Sequence, residues 1–347
     1  MLVFQLPAIP DARQIDAVVG ILEETVGKAY PKGVQLFRGQ IDGPHASSSD
    51  EIERLVRDHI PKGYVVTLHA PISPKKIIPA CRLDCQESEA MVAENIDLAV
   101  RIGARSVIVH TGTSFYHPLA AGVPASEEKY RFQRMSPSAL EAARSNVYHR
   151  VARIGHAAGD GVLVSIENDP LPIGAESVND PTTAFLNPYL STFSHLADFN
   201  DYLHAYTPPT VGVCFDTAHY LRTIETIRGE GRNPQPDTTA FFDIVRPSLD
   251  DVSLSPVVEM LLTTGRLYDI QIADSIGWSR GGRKPKSFSI AGGPHESELV
   301  RVTRMADAYC TTTSREIVLS LDVDEQDYIA RPNQRVSLQF LVNSLQH

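Results

Sequence analysis

The chain has 347 residues, 42% hydrophobic and 21% charged, an ordinary globular composition with material for a large core. Acidic side chains outnumber basic ones, 42 to 32, and the formal net charge of −10 makes the chain a poor generic partner for nucleic acid or an anionic membrane. The cysteines, Cys81, Cys85, Cys214 and Cys310, form neither a disulfide framework nor a paired Cys-x-x-Cys zinc pattern.

The first element, Leu2–Leu6, lies in a start that lacks a basic region followed by a long apolar core, so it reads as a strand and not as a signal peptide. Further apolar, β-branched runs follow at Val34–Arg38, Tyr64–His69, Ser106–His110, Val162–Glu167, Val211–Asp216, Tyr268–Ala273 and Ile317–Asp322. Most are continuously hydrophobic, as parallel strands covered on both faces are. Amphipathic stripes lie between them. One is Ile15, Val18, Val19, Leu22 and Val26; a second is Ala90, Ala93, Ile96, Ala99 and Val100, ending at Gly103; a third is Val147, Val151, Ile154 and Ala158, stopped by Gly159. Strands alternating with helices predict an α/β fold, a (β/α)₈ TIM barrel of one domain over residues 1–347. A doubly wound open sheet is the alternative, but no glycine-rich phosphate fingerprint follows the first strand. A third insertion, Leu221–Asp237, follows the Asp216–His219 strand, and two earlier connections, Thr111–Met135 and Asn168–Tyr189, are too long for bare loops. They fall on the carboxyl face, where barrels of this type keep their active sites, and are expected to be lids or substrate-binding walls. No apolar run reaches the roughly 20 residues of a membrane span, so a soluble, cytoplasmic protein is expected.

The carboxyl ends of the strands carry the chemistry. They read Leu68-His69-Ala-Pro71, Ile108-Val-His110-Thr-Gly112, Ser165-Ile-Glu167-Asn168, Asp216-Thr-Ala-His219, Ile270-Gln271-Ile-Ala-Asp274 and Leu319-Ser-Leu-Asp322. Each has an innocent reading taken alone, as a core histidine, a cap or an inward amide. Together they converge on one opening of a barrel, and buried charges need partners or a metal. Carboxylates, an amide and imidazoles suit Mn²⁺, Mg²⁺ or Co²⁺, or Zn²⁺ if more imidazoles bind. After the seventh strand, Arg280-Gly-Gly-Arg283-Lys-Pro-Lys286 is either a phosphate- or carboxylate-binding element or a solvated loop.

These strand ends, in this order, resemble the xylose isomerase-like TIM-barrel superfamily, which includes sugar isomerases and epimerases, dehydratases and the endonuclease IV family. The resemblance spans nearly the whole barrel and implies one divalent ion held by Glu167, Asp216, Gln271 and Asp322. Gln271 stands where histidine is usual and Asp322 where glutamate is usual; both are oxygen donors, which favours Mn²⁺, Mg²⁺ or Co²⁺ over Zn²⁺. It further implies Glu167 and Asp322 as acid and base, with His219 binding a substrate hydroxyl or relaying a proton. His69 and His110 would line the pocket or hold a second metal, and Asn168, Arg280 and Arg283 would contact substrate. Asp274 would orient a ligand or a neighbouring helix. The expected activity is that of an isomerase, epimerase or dehydratase acting through an enediolate on a small sugar-like or keto-acid substrate. Nucleic acid and membrane partners are not expected, and a homo-oligomer stays open. Endonuclease IV offers another mapping, through His69, His110, Glu167, Asp216, His219 and Asp322. Its strand-seven histidine is Gln271 here, and its Asp-x-His element, expected near Pro285–Ser287, is absent. A non-catalytic barrel acting as a binding subunit is the remaining alternative.

Overall fold

A computed structural model of the chain describes residues 1–38, 47–71, 87–111, 137–169, 172–173, 185–186, 189–228, 252–275 and 287–346. β1 (Leu2–Ala8) is followed by α1 (Ala12–Thr25), β2 (Lys32–Phe37) by α2 (Ser49–His59), and β3 (Val65–His69) by α3 (Glu87–Arg101). Next come β4 (Ser106–His110) with α4 (Pro137–Ala158) and β5 (Leu163–Glu167) with α5 (Phe193–Tyr206). β6 (Val211–Asp216) is followed by α6 (Thr217–Arg228) and α7 (Leu254–Thr264), β7 (Leu267–Ile272) by α8 (Glu296–Thr313), and β8 (Ile317–Leu321) by α9 (Pro332–Leu345). The eight strands pair in parallel in chain order, and β1 closes the barrel on β8 with Leu2 opposite Ile317 and Gln5 opposite Ser320. All eight apolar runs are barrel strands, with ends moved by a residue or two.

Side-chain physics explains where the helices sit. Asp11, Ser48 and Thr192 cap α1, α2 and α5, each accepting from a backbone N–H three residues on. α1 buries Ile15, Val18, Ile21 and Leu22, close to its expected stripe. α3 departs from expectation. It buries Val92, Asn95, Ile96, Leu98 and Ala99, whereas Ala90, Ala93 and Val100 face outward. Val92 and Leu98 remove more apolar area from water than two alanines can, so they set the rotation of the helix. The expected connection from Leu221 begins inside α6. In the Asn168–Tyr189 connection, Pro172–Ile173 pairs antiparallel with Phe185–Leu186, and after β7, Asp274–Ser275 pairs with Ser287–Phe288. The Thr111–Met135 connection lies, beyond Thr111, outside the described residues, as do Cys81 and Cys85; Cys214 and Cys310 are free and buried. Among the described residues no helix is long and apolar enough to cross a membrane.

The barrel interior is partly polar. Gln5 reaches from β1 across β2, accepting from Thr67 Oγ1 at 2.9 Å and donating to the Val65 carbonyl at 3.1 Å. A Cβ on Gly33 would overlap both the Gln5 side chain and that carbonyl, so the crossing requires glycine. Deeper, Asp269 accepts hydroxyl donors from Ser106, at 3.1 Å, and Ser165, and lies 3.7 Å from Arg105. One irregularity bears on the site. Between β6 and β7 the register passes from Val213 opposite Leu267 to Cys214 opposite Asp269, so Tyr268 is an extra residue, a bulge. It brings Gln271, and not Ile270, opposite Asp216.

Asp269→Ala should destabilise the protein by about 3 kcal/mol in urea unfolding, because it strands two buried hydroxyls and a nearby guanidinium. Asp269→Asn, which keeps acceptor capacity, should lose less than half of that.

Candidate metal centre

The strand ends meet around Glu167, the last residue of β5, which is 1% exposed. A lone carboxylate at that depth is strongly disfavoured. Three imidazoles surround it. His69 ends β3 and places Nε2 3.1 Å from Glu167 Oε2. His110 ends β4, lies directly across the ladder from Glu167, and places Nε2 3.5 Å from the same oxygen. His219, in the first turn of α6, places Nδ1 3.4 Å from Oε1.

Each ring is fixed at Nδ1. His69 Nδ1 lies 2.9 Å from the Ala70 carbonyl and His219 Nδ1 2.9 Å from the Asn168 carbonyl. His110 Nδ1 lies 2.7 Å from Asp169 Oδ1. Carbonyls and carboxylates only accept, so Nδ1 carries the hydrogen and Nε2 offers a lone pair in the neutral ring. His110 Nε2 is buried without a hydrogen-bond partner, and His69 Nε2 faces a carboxylate. An imidazole held by an acceptor at one nitrogen and open at the other is how metal-ligating histidines are built.

Asp216 is held from three sides. Its Oδ1 accepts the His219 N–H at 2.8 Å, the N-cap contact of α6, so the Asp-x-x-His spacing is a helix-cap spacing as well as a donor spacing. The Asp216 N–H donates to Asn168 Oδ1 at 2.6 Å, and Asn168 Nδ2 donates to the Asp216 carbonyl at 3.0 Å. Asn168, expected to contact substrate, is fully buried and has both ends of its amide engaged in this clamp. The Gln271 amide, with its NH₂ turned to the carboxylates, donates to Glu167 Oε1 at 3.0 Å and Asp216 Oδ2 at 3.1 Å.

The charges are strongly coupled. Burial would raise the Glu167 carboxyl, but the imidazoles of His110, His69 and His219 outweigh it and hold it down near 2. Burial would lower His110, but Glu167, Asp169 and Asp216 push it up to about 10. Asp216 is raised, first by burial and then by Glu167, with His219 opposing. Asp322, just past β8, is raised to about 7 by burial and by Asp216 and Glu167. Its backbone N–H donates to the Ile272 carbonyl at 3.3 Å, which seats it at the same mouth.

Among the described residues two sets of ligand atoms, each within 4.8 Å of one another, result: His69, His110 and Glu167, and Glu167, Asp216 and His219. Glu167 is common to both. Of the expected four ligands, Glu167, Asp216 and Gln271 touch, and Asp322 joins them through its charge. Arg280 and Arg283 lie outside the described residues. Asp169, which orients His110, is not singled out by the sequence; its signal is an acid two residues after a strand-end glutamate.

No family model and no curated protein matches this sequence. Solved structures do match in shape. A D-tagatose 3-epimerase-like protein superposes with a TM-score of 0.54 at 13% identity, covering 99% of this chain and 98% of that one. An L-ribulose 3-epimerase gives 0.54 at 11%, covering 99% and 94%. Endonuclease IV from Thermus thermophilus gives 0.50 at 17%, covering 98% and 99%. The likeness is one of fold. The resemblance to xylose isomerase-like barrels drawn from the strand ends holds at that level, and the closed parallel barrel agrees with it.

In metal-free protein the folded state holds Asp322 protonated where the unfolded chain has released the proton. That contribution to stability is complete below roughly pH 4 and is lost as pH rises through about 7. Asp322→Asn should therefore stabilise EDTA-treated protein by roughly 1–3 kcal/mol at pH 8 and change little at pH 4. Urea unfolding at both pH values checks the difference.

Proposed function

We propose that the protein is a divalent-metal-dependent isomerase or epimerase of a small sugar-like substrate, with dehydration of a sugar or keto-acid as the nearest variant. In this reading residues 1–347 act as one barrel domain. The observation that carries it is the contact of Glu167, Asp216 and Gln271 at the barrel mouth, with Asp322 in the same field. The fold shared with structures described as sugar epimerases supports the choice of substrate class. Glu167, Asp216, Asp322 and, with its oxygen turned inward, Gln271 would hold Mn²⁺, Mg²⁺ or Co²⁺. Such an ion supplies positive charge that acidifies a C–H next to a carbonyl.

The residues supply the rest. Glu167, held ionised by three imidazoles, is suited to accept the carbon-bound proton. Asp322, held up near 7, is suited to carry a proton at neutral pH and deliver it from another side of the ring. Two carboxyls whose surroundings push them apart are the usual sign of an acid and a base. His219, one-fifth exposed, is placed to bind a substrate hydroxyl. Removal of the proton gives an enediolate; return of a proton to the other carbon gives the isomer, and return to the same carbon from the opposite face gives the epimer.

One observation favours a second reading. Because His69 and His110 share Glu167 with the Asp216–His219 set, two ions can sit side by side, as in metal-dependent phosphodiester hydrolysis. A fold shared with endonuclease IV is consistent with this, and the net charge of −10 weighs against a DNA substrate.

Elemental analysis separates the two. One ion per chain is expected; two or more, with incision of an abasic duplex at physiological salt, would replace the first reading. Asp216→Asn should lower metal content at least tenfold with the fold retained by circular dichroism. Gln271→His should shift competition binding toward Zn²⁺. Turnover of a ketose in D₂O should place deuterium on the carbon next to the carbonyl, and Glu167→Gln should slow that exchange by about 1,000-fold.

A further inference from the structure

Beyond Gln271 the chain continues through Ala273 to Asp274, which is completely buried and lies past the donor residues. Its carboxylate accepts three N–H groups. Oδ1 takes the Ser275 N–H at 2.7 Å and His295 Nδ1 at 2.7 Å; Oδ2 takes the His295 N–H at 3.0 Å. The turn before α8 is shaped for this grip. A Cβ on Gly293 would fall inside contact distance of Asp274 Oδ2, so a side chain there would expel the carboxylate.

With Nδ1 committed to Asp274, His295 exchanges its proton at Nε2. The side chain is 20% exposed. The charged groups facing the ring are Asp274 from the short strand, Glu225 from α6 and Glu298 from its own helix, all acidic. The Asp274 hydrogen bond leads them in raising the imidazole above its usual value, against burial.

The pair is connected to the metal centre. Asp216, which caps α6, is followed inside that helix by His219, Arg222 and Glu225 at three-residue intervals, each next to the one before it. Arg222 and Glu225 are buried; Arg222 lies in the fields of Asp216 and Glu225, and Glu225 accepts Ser275 Oγ at 3.0 Å. Along the strand, Asp274 is three residues past Gln271, about 10 Å of extended chain. His295 itself lies in the turn between β7 and α8, on the carboxyl face of the barrel that also holds the metal centre.

We propose that His295, held by Asp274, is a second acid–base residue of this mouth, exchanging a hydroxyl proton with the end of the substrate that lies away from Glu167. The proposal rests on the sugar-enzyme reading above. In the step, the substrate O–H bond breaks with its electron pair staying on oxygen, an N–H bond forms at Nε2, and the new positive charge lies against the Asp274 carboxylate. The reverse step returns the proton.

The test uses Mg²⁺-loaded protein, ¹⁵N-labelled at histidine, with D-tagatose as the ketohexose probe. The Nε2 resonance of His295 should move on adding D-tagatose. His295→Asn, which keeps a donor toward Asp274, should slow deuterium exchange by about 100-fold with metal content unchanged, and should remove one limb of the pH profile. Asp274→Asn should move that limb to lower pH. An Nε2 resonance indifferent to saturating D-tagatose, or exchange in His295→Asn at the unmodified rate and pH profile, overturns the proposal. A responsive Nε2 in a protein that exchanges no deuterium upholds the contact and removes the enediolate reading instead.

Discussion

The site is organised by one fully buried carboxylate. Glu167 can stay charged at that depth only because His69, His110 and His219 surround it, and each of those rings is itself fixed by an acceptor at Nδ1. Remove the imidazoles and burial would neutralise the acid; remove the acid and His110 loses the largest charge that holds its proton. The acceptors come from Ala70, Asp169 and Asn168, all just past strand ends. The barrel supplies rigid anchorage there, so geometry set by parallel ladders is passed to side chains with little slack.

Asp216 shows how a structural duty and a functional one coexist. As N-cap it starts α6, and as strand end it faces Gln271. The Asn168 clamp extends the β5–β6 ladder past its last regular pair, fixing the Asp216 backbone. Meanwhile burial, and after it repulsion from Asp216 and Glu167, raises Asp322 well above an ordinary aspartate. Stability is given up at this mouth and recovered in the core beneath it, a common arrangement where charge is gathered for function.

Much of this is legible in the sequence, for physical reasons. Parallel strands covered on both faces must be continuously apolar, so Val211–Asp216 and Ser106–His110 announce themselves, and their polar terminal residues stand out against that background. The α3 stripe differs from its expected face because alanines fit either side, and Val92 and Leu98 decide the rotation only once neighbouring elements are present. Asn168 reads as a pocket residue because a polar side chain after a strand-end acid gives no sign of which backbone it will bind. Asp169 and His295 do not stand out in the sequence because their partners are distant in the chain or set by a turn.

The bulge at Tyr268 has a bearing on how this barrel is compared with others. It makes the identity of the residue beside Asp216 depend on whether Tyr268 stays out of the ladder, not only on which side chain is encoded. If Tyr268 entered the ladder the strand would slide, Ile270 would come opposite Asp216 and the amide of Gln271 would turn to the outer face. A donor can thus be gained or lost through a change of register that leaves every side chain of the strand unaltered. An alignment that runs through this strand without a gap would set Ile270 or Ile272 against the ligand of a related barrel, and would report a lost metal site where the register had only shifted.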